Sequence, residues 1–341
     1  MKTGILTFHN GINSGTFMQA RGLCDEIASL GHDVSIIDYA NQHQIRRDRE
    51  SLWNTKNPRK LWHNFLKSRK YRKGLATLKL SRRIETPQEI NELGYDAIVF
   101  GSDELWNLES SYANGDLAFL GEGIRGVRKI AYAPSFGSMN HPGEKKETVS
   151  HLLNDFSSLS ARDDNTLSMI RDLTGHDVPL VVDPVLLSPK SEPRSNLEGR
   201  IGAYLMSPGP SEIKKVREFA RKNNKRIVSV GYFHRWADEQ LAALAPFEVP
   251  EALAGVDLVV TNTFHGVVFS LKHAKRFVLV DHPTKTTKLD TLCRLFDLKR
   301  VMSEDQSISP EQVNQISEDQ QELQAMTVRS RSYLAEALGG S

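Results

Sequence analysis

The segment Thr261-Asn262-Thr263-Phe264-His265-Gly266 places an imidazole between two apolar runs. Val256–Val260 reads as the end of a buried strand and Val267–Leu271 as the apolar start of a helix. A histidine at a strand-to-helix turn lies where an open α/β sheet binds ligands, beyond the carboxyl ends of its strands. The backbone N–H groups opening the next helix favour an anion there. An imidazole changes charge near neutral pH, which makes His265 a candidate acid or base. Arg162 ends a second strand-like stretch, Leu159–Arg162, with a helix behind it. Its planar fork can take a carboxylate or phosphate through two parallel bonds. Asp103 and His9-Asn10 follow two further apolar runs, Tyr95–Phe100 and Gly4–Phe8. The Ser207-Pro208-Gly209-Pro210 turn offers another set of N–H groups at a helix start.

The elements that must position these residues alternate in kind. Gly4–Phe8 predicts a strand, Thr16–Leu30 an amphipathic helix closed by Gly31, and His32–Tyr39 a second strand. Tyr95–Phe100, Lys129–Ala133, Leu159–Arg162 and Leu180–Pro184 read as further strands, with a helix over Asp163–Leu173. Ser188–Arg200 is rich in Ser, Pro and charge and reads as a linker. A second series follows: Ile201–Met206 strand, Ser211–Asn223 helix, Arg226–Tyr232 strand, Val256–Val260 strand, Gly266–His273 helix, Phe277–Val280 strand. Strands alternating with helices in both halves predict two doubly wound, Rossmann-like α/β lobes with parallel sheets. The expected organisation is an N-terminal lobe over 1–190 with a basic insertion at 45–83, a C-terminal lobe over 200–308, and closing helices over 309–341. The active crevice is expected between the lobes.

At 341 residues the chain exceeds one ordinary core and suits two domains. Its 39% hydrophobic and 25% charged content describes a soluble globular protein. No apolar run approaches a membrane span, and Met1–Leu6 enters a strand without a signal-peptide pattern. Cys24 and Cys293 form neither a disulfide framework nor a zinc signature, which fits a reducing cytoplasm. No metal site is expected. The net charge of +2 conceals an asymmetry: 45–83 holds fourteen Lys and Arg against Asp48 and Glu50, with Trp53, Trp62, Phe65, Leu66 and Tyr71 interleaved. A cationic run is usually a solvated helix face. Aromatics among the cations suit an anionic membrane surface, or a lipid-linked diphosphate, instead, and no nucleic-acid reader motif accompanies them.

Together these turns resemble the polysaccharide pyruvyl transferase family. The resemblance is carried by His9-Asn10 with Gly15 and Gln19-Ala20, Tyr95-Asp96 with Gly101–Asn107, Ala131–Gly137, Ser160–Asp163, Asp183-Pro184 and Phe264-His265-Gly266, followed by Lys285 or Lys288. It spans roughly residues 3 to 298 and depends on order and spacing more than on any single motif. It implies a GT-B-like fold and transfer of pyruvate from phosphoenolpyruvate (PEP) to two hydroxyls of a sugar as a ketal. The glycan would belong to an exopolysaccharide or cell-wall polymer, lipid-linked at the cytoplasmic membrane face. PEP is then the donor substrate and no further cofactor is implied. His265 would move a proton, with Asp103 deprotonating or orienting the sugar hydroxyl. Arg162, Lys288 or Lys285, Gly266 and Thr263 would hold PEP; His9, Asn10 and Trp106 would hold the acceptor. Leu289, Leu292 and Leu295 on one helix face favour Lys288 as the family lysine. Thr263 departs from the family, which often has arginine there.

Each residue also has a structural reading. His265 could belong to a capping turn, Arg162 to an exposed pair with Asp163 or Asp164, and Trp106 to the core. Asp183-Pro184 reads as a turn device, and His234-Arg235-Trp236 as surface loop or ligand site. Gly11 and Gly15 lack dinucleotide spacing. Two other functions stay open: a nucleotide-sugar glycosyltransferase of the same architecture, and an inactive glycan-binding relative.

Overall fold

Parallel strands need crossover helices, and the observed chain order supplies them twice. A computed structural model describes residues 1–39, 41–281, 286–317 and 320–339. The chain forms two compact units, one of residues 1–54, 75–188 and 324–341, the other of 55–74 and 189–323. Two stretches thus depart from the expected division: 55–74 leaves the N-terminal lobe, and 324–341 joins it.

In the first unit, β1 (Lys2–Leu6) leads through α1 (Ser14–Ser29) to β2 (Asp33–Tyr39). The basic segment then divides, α2 (Gln42–Trp53) staying with this unit and α3 (Pro58–Leu75) with the other. β3 (Leu80–Ile84), β4 (Ala97–Phe100) and β5 (Arg128–Ala131) complete a five-stranded parallel sheet ordered β3-β2-β1-β4-β5. β3 overlaps the C-terminal end of the basic segment 45–83, which is otherwise mostly helical. It is an edge strand with Arg82 and Arg83 exposed, where cations block further strand pairing. α4 (Lys146–Asn154), α5 (Asp164–Thr174) and the short α6 (Pro184–Leu187) follow. Leu159–Arg162 and Leu180–Pro184 are not strands; they share a single bridge, Ala161 to Leu180, and Ser158 just before them bridges to Ile130. Asp163 and Asp183 end them by capping the next helices, each accepting a backbone N–H.

The sheet order reverses at β1 and β4, so the turns after these two strands mark the ligand-binding end of the unit. Gly4 on β1 is fixed by packing: a Cβ there would stand 2.9 Å from Ile37 and from the Tyr95 ring.

The second unit runs β6 (Arg200–Tyr204), α7 (Pro210–Lys222), β7 (Arg226–Val230), β8 (Glu239–Leu241), α8 (Glu248–Gly255), β9 (Leu258–Thr261), α9 (Phe264–His273) and β10 (Arg276–Val280). α10 (Thr286–Phe296), β11 (Arg300–Val301) and β12 (Asn314–Gln315) close it. Its order is β11-β10-β9-β6-β7-β8, parallel apart from β12, which pairs antiparallel with β10. The order reverses between β6 and β9, whose carboxyl ends carry Leu205–Pro210 and Asn262–His265. The expected closing helices reduce to α11 (Gln321–Ala337), which ends in the first unit. There Tyr333 donates to the Ala131 carbonyl at 2.8 Å, and Ser330 Oγ accepts from Val182 N at 2.9 Å.

α2 is held to the first unit by His43 on the Ser111 carbonyl, 2.7 Å, and by Tyr112 Oη donating to Asp48 at 3.1 Å. Burial pushes the Asp48 carboxyl up to about 6, with the Tyr112 hydrogen bond opposing it. A carboxyl raised by folding supports the fold below its unfolded pKa, near 4, and loses that contribution as pH rises through about 6. Asp48→Asn keeps an acceptor for Tyr112 and removes the buried charge. The variant is expected to melt higher than wild type at pH 7, by a free energy on the order of 1 kcal/mol, and to match it near pH 4. Melting curves across this range check it; a constant offset would assign the effect to packing.

Candidate functional site

In the second unit the strand end at β9 becomes a cap. Thr263, in extended geometry, accepts the Gly266 N–H on Oγ1 at 3.0 Å, the N-cap bond that starts α9. Thr261 Oγ1 accepts the Thr263 N–H at 3.3 Å. Asn262 is buried and ties the switch-point strands together. Its Oδ1 accepts Met206 N–H at 2.8 Å, and its amide donates to the Met206 carbonyl at 3.1 Å and to Glu212 at 3.3 Å. A Cβ on Gly266 would lie 1.8 Å from Thr261 Oγ1, so only glycine fits.

The expected roles of Thr263 and Gly266 in holding PEP are therefore revised: the hydroxyl of one is bonded to the N–H of the other. They shape the turn. Across Thr261–Leu271 every residue is buried except His265, which is partly exposed. Its ring rests edge-on against Phe264, 5.4 Å between centroids, and near Phe269 at 6.3 Å. A buried, hydrogen-bonded turn thus carries one partly exposed ionisable residue at the sheet's switch point.

His234 is structural. Its Nε2 donates to the Leu205 carbonyl at 3.0 Å, and its ring stacks on Trp236 at 5.1 Å. Burial lowers its pKa, in keeping with a neutral ring donating one proton. Lys67 on α3 was read only as part of a charge run. It instead donates to the Gly231 carbonyl at the end of β7, 2.7 Å, with its ammonium over the Tyr71 and Tyr232 rings. Burial pushes its pKa down to about 8. The signal for this was the i, i+4 spacing of His63 and Lys67, continued by Tyr71, on one helix face. Lys285 lies outside the described residues. Lys288 belongs to α10, where its side chain is likewise outside them.

In the first unit, the ends of β1 and β4 are joined by Gln19 of α1. It accepts the Ser102 N–H at 3.1 Å and donates to Thr7, Phe8 and Thr16 at 3.0 Å each. At Gly101 a Cβ would lie 1.8 Å from the Tyr132 carbonyl oxygen, at φ 133°. Asp103 adopts φ 98°, a conformation costly for a residue with a side chain and one that clusters at functional sites.

Arg162 is buried beneath Asp103. Its Nη1 donates to Asp183 at 3.1 Å and its Nη2 to Asp103 at 3.3 Å. The side chains of Arg162 and Asp183 are 2% and 1% exposed, that of Asp103 13%, so Asp103 is the outermost member. This corrects both earlier readings of Arg162. It does not form an exposed pair with Asp163, whose Oδ1 caps α5 through the Thr166 N–H at 2.8 Å. Nor is its guanidinium open to a ligand, since protein carboxylates cover it. It positions Asp103, and Asp183 is the anchor, more than a turn device.

The acceptor expectations are corrected in part. Trp106 is fully buried; Nε1 donates to the Phe119 carbonyl at 3.0 Å and the ring packs on Phe136 and Phe156. It cannot stack on a sugar. His9 is also buried, its nitrogens facing the Thr7 carbonyl at 3.1 Å and Asp38 at 3.2 Å. Asn10 donates to the same Asp38 oxygen at 3.2 Å and stays partly exposed. Burial opposes ionisation of Asp38, yet hydrogen bonds from His9 and Asn10 and the Arg83 charge hold it well below the carboxylate range. Among the described residues no His/Cys/Asp/Glu group could hold a metal ion, and no helix is long and apolar enough to cross a membrane.

The fold is similar to that of MnaA from S. aureus in its co-structure with UDP, at 12% identity over 99% of this chain and 91% of that one, TM-score 0.51. Spinosyn rhamnosyltransferase SpnG (12% identity, 99% and 91% covered, TM-score 0.46) and the glycosyltransferase SnogD from Streptomyces nogalater (13%, 99% and 95%, TM-score 0.45) are more distant in shape. At such identities the likeness is one of fold: two parallel-sheet α/β lobes of GT-B-like type. No curated protein sequence matches the chain. The family described as polysaccharide pyruvyl transferase matches residues 13–283, from the start of α1 to just past β10. The chain belongs to the polysaccharide pyruvyl transferase family.

Proposed function

We propose that this transferase moves the pyruvyl group of PEP onto two hydroxyls of one sugar in a lipid-linked glycan at the cytoplasmic membrane face. The observation that carries this is His265, the one partly exposed residue of an otherwise buried turn at the switch point of the second sheet. Ketal formation needs a proton at C3 of the enol, which makes C2 electrophilic. A sugar hydroxyl adds to C2, the C2–O bond to phosphate breaks with its electron pair leaving on phosphate, and the second hydroxyl closes the ketal. One hydroxyl proton balances the methyl group formed at C3, and the other leaves with phosphate. His265 suits the transfer to C3 and Asp103 the removal from a hydroxyl. Lys288 is the cation proposed for the PEP anion.

Thermal shift with PEP against UDP- and GDP-sugars tests the donor. A ligand at about 100 times its Kd stabilises the fold by about 2.7 kcal/mol, so PEP is expected to raise the Tm by several degrees and the nucleotide sugars not at all. A rise with a nucleotide sugar and none with PEP would replace this reading with that of a glycosyltransferase.

A further inference from the structure

The sequence offers 45–83 as one basic patch, but the structure pairs the cations at its C-terminal end with carboxylates. Lys79 pairs with Asp33, Arg82 with Glu89 and Glu92, and Arg83 with Asp38. α3 is different, for it carries two stripes. The inner one seats the helix on the second unit: His63 on the Phe233 ring at 5.1 Å, Lys67 on the Gly231 carbonyl, Lys70 on Glu248 at 2.7 Å, and Tyr71 fully packed. With that face fixed, the opposite stripe, Arg59, Trp62, Phe65, Arg69 and Arg72, is turned outward at three- and four-residue spacing.

Trp62 is 59% and Phe65 39% exposed, among the largest exposed apolar side chains of the protein. The two rings stack on each other at 5.9 Å, and the Arg69 guanidinium covers Phe65 at 5.9 Å. α3 contains no acidic residue. A rigidly seated helix that turns aromatics outward between cations has the composition of an interfacial helix. Its rings enter the headgroup layer while its guanidinium groups meet lipid phosphates. Nucleic acid would answer the charge equally, but a base needs an open ring face to stack upon, and here the Trp62 and Phe65 rings face each other.

We infer that the outer stripe of α3 docks the protein on an anionic phospholipid bilayer. The inference does not depend on the donor substrate, because vesicle binding is read without one. The full chain is to be floated with phosphatidylcholine vesicles with and without phosphatidylglycerol. Binding is expected only with phosphatidylglycerol and should weaken with salt. R59Q/R69Q/R72Q should lower the partition by about 10²-fold, since each cation contributes about fivefold. W62S/F65S should also lower it, and tryptophan emission should move to the blue on binding in wild type but much less in W62F. Circular dichroism and melting matched to wild type establish that these surface variants fold. Equal binding to both vesicle types, or none to either, overturns the inference. So does vesicle binding that W62S/F65S leaves unchanged and single-stranded RNA displaces, which would assign the stripe to a polyanion.

Discussion

His265→Asn is expected to lower kcat for phosphate release from PEP by about 10² to 10⁴-fold, the range a positioned acid or base supplies. KM for PEP should change little, because a proton moving only in the transition state adds nothing to ground-state binding. The reason to expect so clean a separation lies in the turn. Thr263, Gly266 and Asn262 fix the backbone through bonds that exclude the His265 side chain. The ring meets Phe264 edge-on and lies tilted near Phe269, with Nε2 buried and the residue as a whole partly exposed, so the stability change should be on the order of 1 kcal/mol. Steady-state kinetics with a melting curve decide the matter. Turnover within tenfold of wild type would leave His265 a surface residue, and a collapse of Tm would make the turn, not the proton, the cause.

That turn was legible because everything defining it is local. An apolar strand, a Thr cap and a helix follow one another within a dozen residues, and their order alone locates a sheet's ligand-binding end. The α/β alternation was readable for the same reason: the expected strands that formed shifted by only a few residues, while Leu159–Arg162 and Leu180–Pro184 did not form and β3 was not foreseen. Burial was not readable, since it depends on what arrives from elsewhere. Trp106 and His9 follow strands as ligand-binding residues do, but Phe119, Phe136 and Phe156 close over the one and Asp38 over the other. The basic segment misled in a related way. Its charge count was correct, while its division between units, its edge strand β3 and the inward Lys67 depend on packing partners more than a hundred residues away in some cases. Arg162 was found by type and position, but its true partner, Asp183, lies on a turn with no charge pattern linking the two.

Arg162→Met carries the largest expected stability effect. It keeps the length and removes the cation that neutralises Asp183, whose side chain is 1% exposed, and that faces Asp103. Removing one partner of a buried pair leaves an uncompensated charge and costs about 3 to 5 kcal/mol. Asp183→Asn should cost less, about 1 to 2 kcal/mol, since its one amide oxygen can still accept from Val185 N, its amide nitrogen can donate to a rotated Ser102 hydroxyl, and Asp103 remains as a carboxylate for Arg162. Combined, R162M/D183N should be less destabilised than the two singles predict, by about 1 to 3 kcal/mol, and urea unfolding of all four proteins measures that coupling. Additive losses would mean that the pair contributes through packing alone. Arg162→Lys then separates positioning from ligand binding. A lysine keeps the charge but has one nitrogen, so it cannot span Asp183 and Asp103 as Nη1 and Nη2 do. If Arg162 acts by holding Asp103, R162K loses kcat while PEP still raises its Tm. If the guanidinium instead leaves the aspartates to clamp PEP, the PEP-dependent rise disappears with it.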